Sequence, residues 1–170
     1  MNKLSLIKPF IKTNVFDKCV ISSITDDSRD VQKNSLFVAR QGIASHGKEF
    51  IKEAIRRGAS CIISDQNFED RIDIPIYCLN NLEDQILEIL FRFHELSVDN
   101  FIFHGVTGTN GKTTTAFMAH NIIRELERPS IYIGTLGAFI NDDLIQTKGN
   151  STPGIFEILQ ILQASKAKQK

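Results

Sequence analysis

Apolar positions along this chain recur with two periods. "CVISSIT" (Cys19–Thr25) and "SLFVAR" (Ser35–Arg40) set β-branched and aromatic residues between polar turns, which predicts strands. "KEFIKEAIRRGAS" has a helical period: Ile51, Ala54, Ile55 and Gly58 share a face, and Gly58 suits the position just past a helix end. "CIISD" and "IPIYCL" are apolar runs of buried-strand length. "LEDQILEILFRFHELS" predicts an amphipathic helix, with Leu82, Ile86, Ile89, Leu90, Phe93 and Leu96 as its stripe. Beyond "VDN" (Val98–Asn100), a plausible hinge, "FIFHGVT" predicts a strand and "KTTTAFMAHNIIRELE" a helix. Ala116, Ala119, Ile123 and Leu126 line one face of that helix, Pro129 ends it, and "SIYIGT" predicts the next strand.

Strands alternating with helices predict an α/β fold. Phe101–Thr135 reads as one strand–loop–helix–strand unit of a parallel sheet with a right-handed crossover. The hinge near Val98 divides the chain into residues 1–98 and residues 99–170. The fold expected is a small N-terminal α/β domain, followed by the start of a parallel-sheet domain of the P-loop ATPase type.

Composition narrows the function. The 170 residues are 42% hydrophobic and 24% charged, enough to bury a core. Twenty Lys and Arg balance twenty Asp and Glu. No field of one sign would draw nucleic acid or an anionic membrane, so an anion site must be local. "MNKLSLIKPF" lacks the apolar core of a signal peptide and no stretch approaches a membrane span, so the cytoplasm is expected. Cys19, Cys61 and Cys78 lack metal or redox spacing and read as buried, reduced thiols. His46, His94, His104 and His120 share no zinc spacing. The "KAKQK" end reads as a short frayed tail.

"GVTGTNGKTTT" (Gly105–Thr115) is the local anion site. A loop leaving a strand and entering a helix presents unpaired backbone N–H groups at a helix N-terminus. Gly108 and Gly111 let the backbone turn and approach a ligand closely. Lys112 places one cation where terminal phosphates lie, and Thr113 offers a hydroxyl to a magnesium ion bridging phosphate oxygens. The full pattern G-x-x-x-x-G-K-[ST] requires glycine where Val106 stands, so the match is to its last three positions. The competing reading is a glycine-rich turn without a ligand.

"GTNGKTT" resembles the ATP loop of the Mur ligase superfamily, which includes folylpolyglutamate synthases and cyanophycin synthetases. "ITDDSRDVQKNSLFVARQGIASHGKEFIKEAIRRGASCIISD" is similar to the first domain of the members that add the third amino acid to the UDP-muramoyl peptide. "IYIGTLGA" and "NSTPG" resemble the same members' post-loop strand and substrate-binding turn, so the resemblance runs from about Ile24 to about Leu162. It implies an ATP- and Mg²⁺-dependent, amide-forming ligase of peptidoglycan synthesis, monomeric at full length. Its substrates would be UDP-muramoyl-dipeptide, ATP and a diamino acid, meso-diaminopimelate or L-lysine. The substrate carboxylate attacks the γ-phosphorus of ATP, and the amine then displaces phosphate from the acyl phosphate.

Residue by residue, the resemblance assigns Asp26, Ser28, Ile43, Ala44 and Ser45 to the uridine diphosphate end of the substrate. Gly108, Thr109, Asn110, Gly111, Lys112, Thr113 and Thr114 bind ATP, with Lys112 catalytic and Thr113 on magnesium. Asn150, Ser151 and Thr152 meet the muramoyl-peptide part. The chain departs from the pattern at His46–Gly47, where Asp-Gly is usual, at "KNSLF", which lacks Pro-Gly, and at Ser151, where Thr is commoner. The carbamylated lysine, the distal magnesium carboxylate and the amino-acid-binding domain are expected to lie beyond these residues, and the chain alone is expected to be inactive.

Other readings stay open. Asp27 and Arg29 suit a surface ion pair, and Ser151 and Thr152 suit a helix cap with Pro153 in the first turn. A nucleotide- or UDP-sugar-binding module without catalysis, or another ligase of the superfamily, would share many of these features. Folylpolyglutamate synthases commonly carry Gly-Lys-Gly where Thr113 follows Lys112 here, and ligases that add the D-alanyl dipeptide commonly carry Ser-x-Gly-Lys in place of "TNGK".

Overall fold

A computed structural model describes residues 2–11, 14, 16–42, 45–148 and 153–168. The chain divides into two compact units, Met1–Glu95 and Leu96–Lys170.

The first unit is built on parallel strands. After a short helix α1 (Leu4–Ile7) come β1 (Ser23–Thr25), β2 (Ser35–Ala39), helix α2 (Ile51–Arg57), β3 (Ala59–Ser64), β4 (Ile76–Cys78) and helix α3 (Leu82–Phe93). The sheet order is β1-β2-β3-β4, with every neighbour parallel. All five positions of β2 are buried, the signature of a strand covered on both faces. Phe37, Ala39 and Ile62 pack with Val31, Ile51 and Ala54 on the α2 side. Strand alternation turns Leu36, Val38, Cys61 and Ile63 to the opposite face, and all four are fully buried. Helix α3 buries the predicted stripe Leu82, Ile86, Ile89, Leu90 and Phe93, each worth about 1.5–3 kcal/mol relative to exposure. Lys3 ties α1 to its end, its Nζ donating to the Phe93 carbonyl at 3.0 Å.

Two boundaries differ from the pattern, for local reasons. β1 begins at Ser23, not Cys19, because its partner begins at Ser35, opposite Ser23. Helix α3 stops at Phe93, short of Leu96, because Glu95 takes a positive φ of 54°. Gly58 caps α2 in the left-handed conformation, as its placement predicts.

The second unit contains helix α4 (Lys112–Glu125), β5 (Ile131–Gly134), β6 (Gly137–Ile140), β7 (Asp143–Ile145) and helix α5 (Ile155–Lys168). Its three strands form an antiparallel sheet in the order β5-β6-β7. Ala138 and Ile140 pack with Ile161 of α5, joined by Ile131 and Ile133. On the alternate positions, Tyr132 and Phe139 pack edge-to-face against Phe117 of α4, with ring centroids 5.2 and 5.5 Å away. The sheet is thus held between α4 and α5.

The strand predicted at "FIFHGVT" does not form: residues 101–107 have no regular secondary structure and pair with no described strand. A strand gains its hydrogen bonds only from a strand set alongside it; β5 and β7 each pair with β6 on one side, and residues 101–107 are not paired to the other side of either. Ile102 is accordingly 81% exposed. The inner face of α4 also differs. Phe117 and His120 face the sheet, whereas Leu126 of the predicted stripe is 65% exposed.

Candidate nucleotide and substrate sites

The loop Gly108–Thr114 lies at the start of α4, as the sequence predicts. Gly111 is the N-cap, at φ 78°, and no side chain caps the helix. The first-turn N–H groups of this fourteen-residue helix are therefore free of a side-chain partner. Gly108 sits at φ 147°, and a Cβ on Gly105 would meet nothing within 4 Å, so the loop backbone is open to a ligand. Residues 102–112 are all exposed, and Thr113 is half-buried.

Lys112 is folded onto its own loop. Its Nζ donates to the Gly108 carbonyl at 2.5 Å and the Thr109 carbonyl at 3.3 Å. Those carbonyls hold the ammonium where anionic oxygens would compete for it. The Thr113 hydroxyl donates to Thr135 Oγ1 at 3.4 Å. Thr135 occupies the two-residue turn between β5 and β6, bounded by the Gly134–Gly137 pair. No spacing rule marks it as part of the loop's surroundings, and the sequence reading, which quoted "IYIGTLGA", gave it no role. The donor set suits magnesium triphosphate: one hydroxyl oxygen for a hard cation, one ammonium, and a row of N–H groups.

Of the residues assigned to the uridine end, Asp26, Ser28 and Ser45 lie in the segments that follow β1 and β2, at the carboxyl edge of the parallel sheet. Asp26 directly follows β1, and its carboxylate accepts from Arg40 Nε at 3.0 Å. Arg40, at the end of β2, also donates to both oxygens of Glu83 at the start of α3, at 3.1 Å. Ser28 is buried, and its Oγ donates to Glu53 Oε2 at 2.8 Å. This bond and Arg57 hold the Glu53 carboxyl below its ordinary range. Ser28 keeps its oxygen lone pairs for a ligand, but its proton is committed.

Ser45 lies in the turn after β2, where Gly42 N–H donates to its carbonyl at 3.0 Å. His46 closes that turn. Its Nδ1 accepts from Lys48 N–H at 3.0 Å, and its Nε2 lies 2.7 Å from Asp65, just past β3. Nδ1 is thus the acceptor, and Nε2 carries the proton toward the carboxylate. His46 thereby joins the ends of β2 and β3. Sequence reasoning did not nominate Arg40, His46, Asp65 or Glu83, because their pairings cross the sheet. Ile43, Ala44, Asn150, Ser151 and Thr152 lie outside the described residues.

The surface reading of Asp27 and Arg29 holds: Arg29 Nε and Nη2 grip the carboxylate at 2.9 and 2.8 Å, with the arginine side chain 78% exposed. A shallow cavity of about 870 Å³ opens beside Cys19, Ser60 and Pro75, at the amino ends of the strands. It includes none of the nominated residues.

Comparison with known proteins adds to this geometry. Residues 20–86 match the family model "Mur ligase family, catalytic domain", and residues 106–170 match "Mur ligase middle domain". A UDP-N-acetylmuramyl-tripeptide synthetase 2 of Oceanobacillus iheyensis is 31% identical over 86% of this chain and 30% of its own. A UDP-N-acetylmuramoyl-L-alanyl-D-glutamate–2,6-diaminopimelate ligase of Clostridium tetani is 34% identical over 84% of this chain and 30% of its own. The chain thus spans about 30% of the length of these curated relatives. A solved structure of a UDP-N-acetylmuramoyl-L-alanyl-D-glutamate–2,6-diaminopimelate ligase shares the fold across 99% of this chain and 34% of its own, with a TM-score of 0.71 at 19% identity.

Proposed function

The chain belongs to the Mur ligase family, whose members are ATP-dependent amide-forming ligases, and from that premise we infer that it serves the step adding a diamino acid to UDP-N-acetylmuramoyl-L-alanyl-D-glutamate in the cytoplasm. The relatives named for this reaction, matching across both units, support the substrate assignment. The observation that carries the nucleotide half is the uncapped start of α4, with Lys112 and Thr113 in its first turn.

In this reading the two units divide the work. The first holds the uridine diphosphate end at the carboxyl edge of its sheet, near Asp26, Ser28 and Ser45. The second holds ATP. Lys112 leaves the Gly108 and Thr109 carbonyls and turns to the terminal phosphates, while first-turn N–H groups take the remaining oxygens. Magnesium, held by the Thr113 hydroxyl, would neutralise charge on the transferring phosphoryl group. The substrate carboxylate takes up that phosphoryl group, and the amine of the diamino acid then displaces phosphate from the acyl phosphate. Lys112 contributes positioning and charge, and its effect depends on being within reach when the phosphoryl group moves.

Amide NMR of the chain tests this division. UDP-muramoyl-dipeptide should shift signals of Asp26–Ser28 and Ser45, and magnesium ATP those of Gly108–Thr114. Shifts confined to the α4 loop with both ligands would remove the first unit from substrate binding.

A further inference from the structure

We propose that Thr135 is a positioning residue for the metal-bound nucleotide: it accepts a hydrogen bond from the Thr113 hydroxyl, so that the hydroxyl oxygen faces the cation. The proposal rests on reading Gly108–Thr114 as a magnesium ATP loop.

A hydroxyl that ligates a cation does so through an oxygen lone pair. Its hydrogen must then point away from the metal, and a nearby acceptor fixes that direction. Nucleotide loops of this kind commonly place a carboxylate in the neighbourhood of the serine or threonine. Here the group that the Thr113 hydroxyl donates to is Thr135 Oγ1, 3.4 Å away. This separation is long for an O–H···O bond and leaves room to shorten when a ligand draws the oxygen round.

The fold puts Thr135 there for independent reasons. β5 and β6 pair from Ile131–Ile140 to Gly134–Gly137, which leaves Thr135 and Leu136 as the turn. Gly137 at φ 102° closes it. Phe117, one turn further along α4 than Thr113, packs edge-to-face with Tyr132 and Phe139 and sets the helix against the same hairpin. Thr113 is half-buried, whereas Lys112 and Thr114 on either side are exposed. The hairpin turn therefore lies beside the hydroxyl proposed to meet the metal, while the loop stays open. Thr135 touches neither metal nor phosphate and acts through Thr113.

Calorimetry on the full chain separates this role from a general one. Thr135→Val keeps the shape and removes the acceptor, whereas Thr135→Ser restores it. With magnesium, Thr135→Val should bind ATP about three- to tenfold more weakly than the parent, and Thr135→Ser within about twofold of it. With the metal chelated, all three should bind ATP equally. Equal magnesium ATP affinity for Thr135→Val and parent overturns the proposal. So does an equal loss with and without metal, which would mark a merely structural residue. Lys112→Ala tests the loop itself and should weaken ATP binding under both conditions. A parent chain that binds no ATP in either condition would overturn the loop reading, and the Thr135 role with it.

Discussion

His120 shows how one residue can tie an element to its unit. It is 4% exposed, and its ring lies among Phe117, Tyr132 and Phe139. Its Nε2 is 3.1 Å from the Asn141 carbonyl, which can only accept, so Nε2 carries the proton. Nδ1 then accepts from the Ser130 hydroxyl at 2.8 Å. Burial pushes the pKa of this imidazole below its ordinary 6.5. The Asn141 carbonyl opposes the shift, and Arg124 adds to it. A folded-state pKa below the unfolded value means that the unfolded chain binds more protons in the interval between them. The contribution of neutral His120 is therefore complete above about pH 6.5 and is lost as pH falls through and below that value. Urea denaturation followed by a probe in the second unit should show a lower midpoint at about pH 5.5 than at about pH 7.5. His120→Gln, already neutral, should be less stable at the higher pH and lose less on acidification.

At the scale of elements, Gly58 joins helix geometry to strand placement. It takes φ 109° as the C-cap of α2, and its N–H reaches the Ile55 carbonyl at 3.0 Å. Its own carbonyl accepts from Asn34 N–H at 3.0 Å, beside the entry to β2. A Cβ here would lie 3.0 Å from the Lys33 Cα, a backbone atom with little freedom to yield. Gly58→Ala should thus cost about 1–2 kcal/mol from the left-handed backbone alone. The tight contact should add to that loss. Denaturant unfolding monitored in the first unit would measure it, and an unchanged midpoint would show that Gly58 is not needed for the α2–β3 connection. The carboxyl edge of the same sheet is tied differently, by Arg40 to Asp26 and Glu83 and by His46 to Asp65.

At the scale of the whole molecule, the two units differ in how fully their backbone is paired. In the first, β2 and β3 are central strands, flanked on both sides and buried on both faces. In the second, residues 101–107 have no strand partner, and Ile102, Phe103, Met118, Ile122 and Leu126 are exposed. Native-state hydrogen exchange should therefore be slowest at Leu36–Val38 and Cys61–Ile63 and fast across residues 101–107. Protection of residues 101–107 equal to that of β3 would contradict the unpaired segment. Twenty basic residues balance twenty acidic ones, so the anion binding proposed for the α4 loop draws on local groups rather than on a field of one sign.

Local chemistry written in neighbouring residues was legible from the chain alone. The period of "LEDQILEILFRFHELS" produced α3, the all-apolar "LFVA" produced a doubly covered strand, and Gly58 marked the end of α2. The string "GTNGKT" located a helix N-terminus with its lysine and threonine, since an anion cradle is made by consecutive backbone groups. Tertiary structure decided whatever depended on a partner distant in sequence. It left "FIFHGVT" unpaired, because strand propensity alone forms no ladder until another strand is set alongside it. It turned Phe117 and His120 of α4 inward, where Tyr132 and Phe139 of β5–β6 meet their rings. It committed the proton of Ser28 to Glu53, closed the turn after β2 with His46 and Asp65, and set Thr135 beside Thr113 across 22 positions of sequence. Periodicity and motif spacing record what a residue does with its near neighbours along the chain, whereas these pairings exist only once sheet and helix have brought distant positions together.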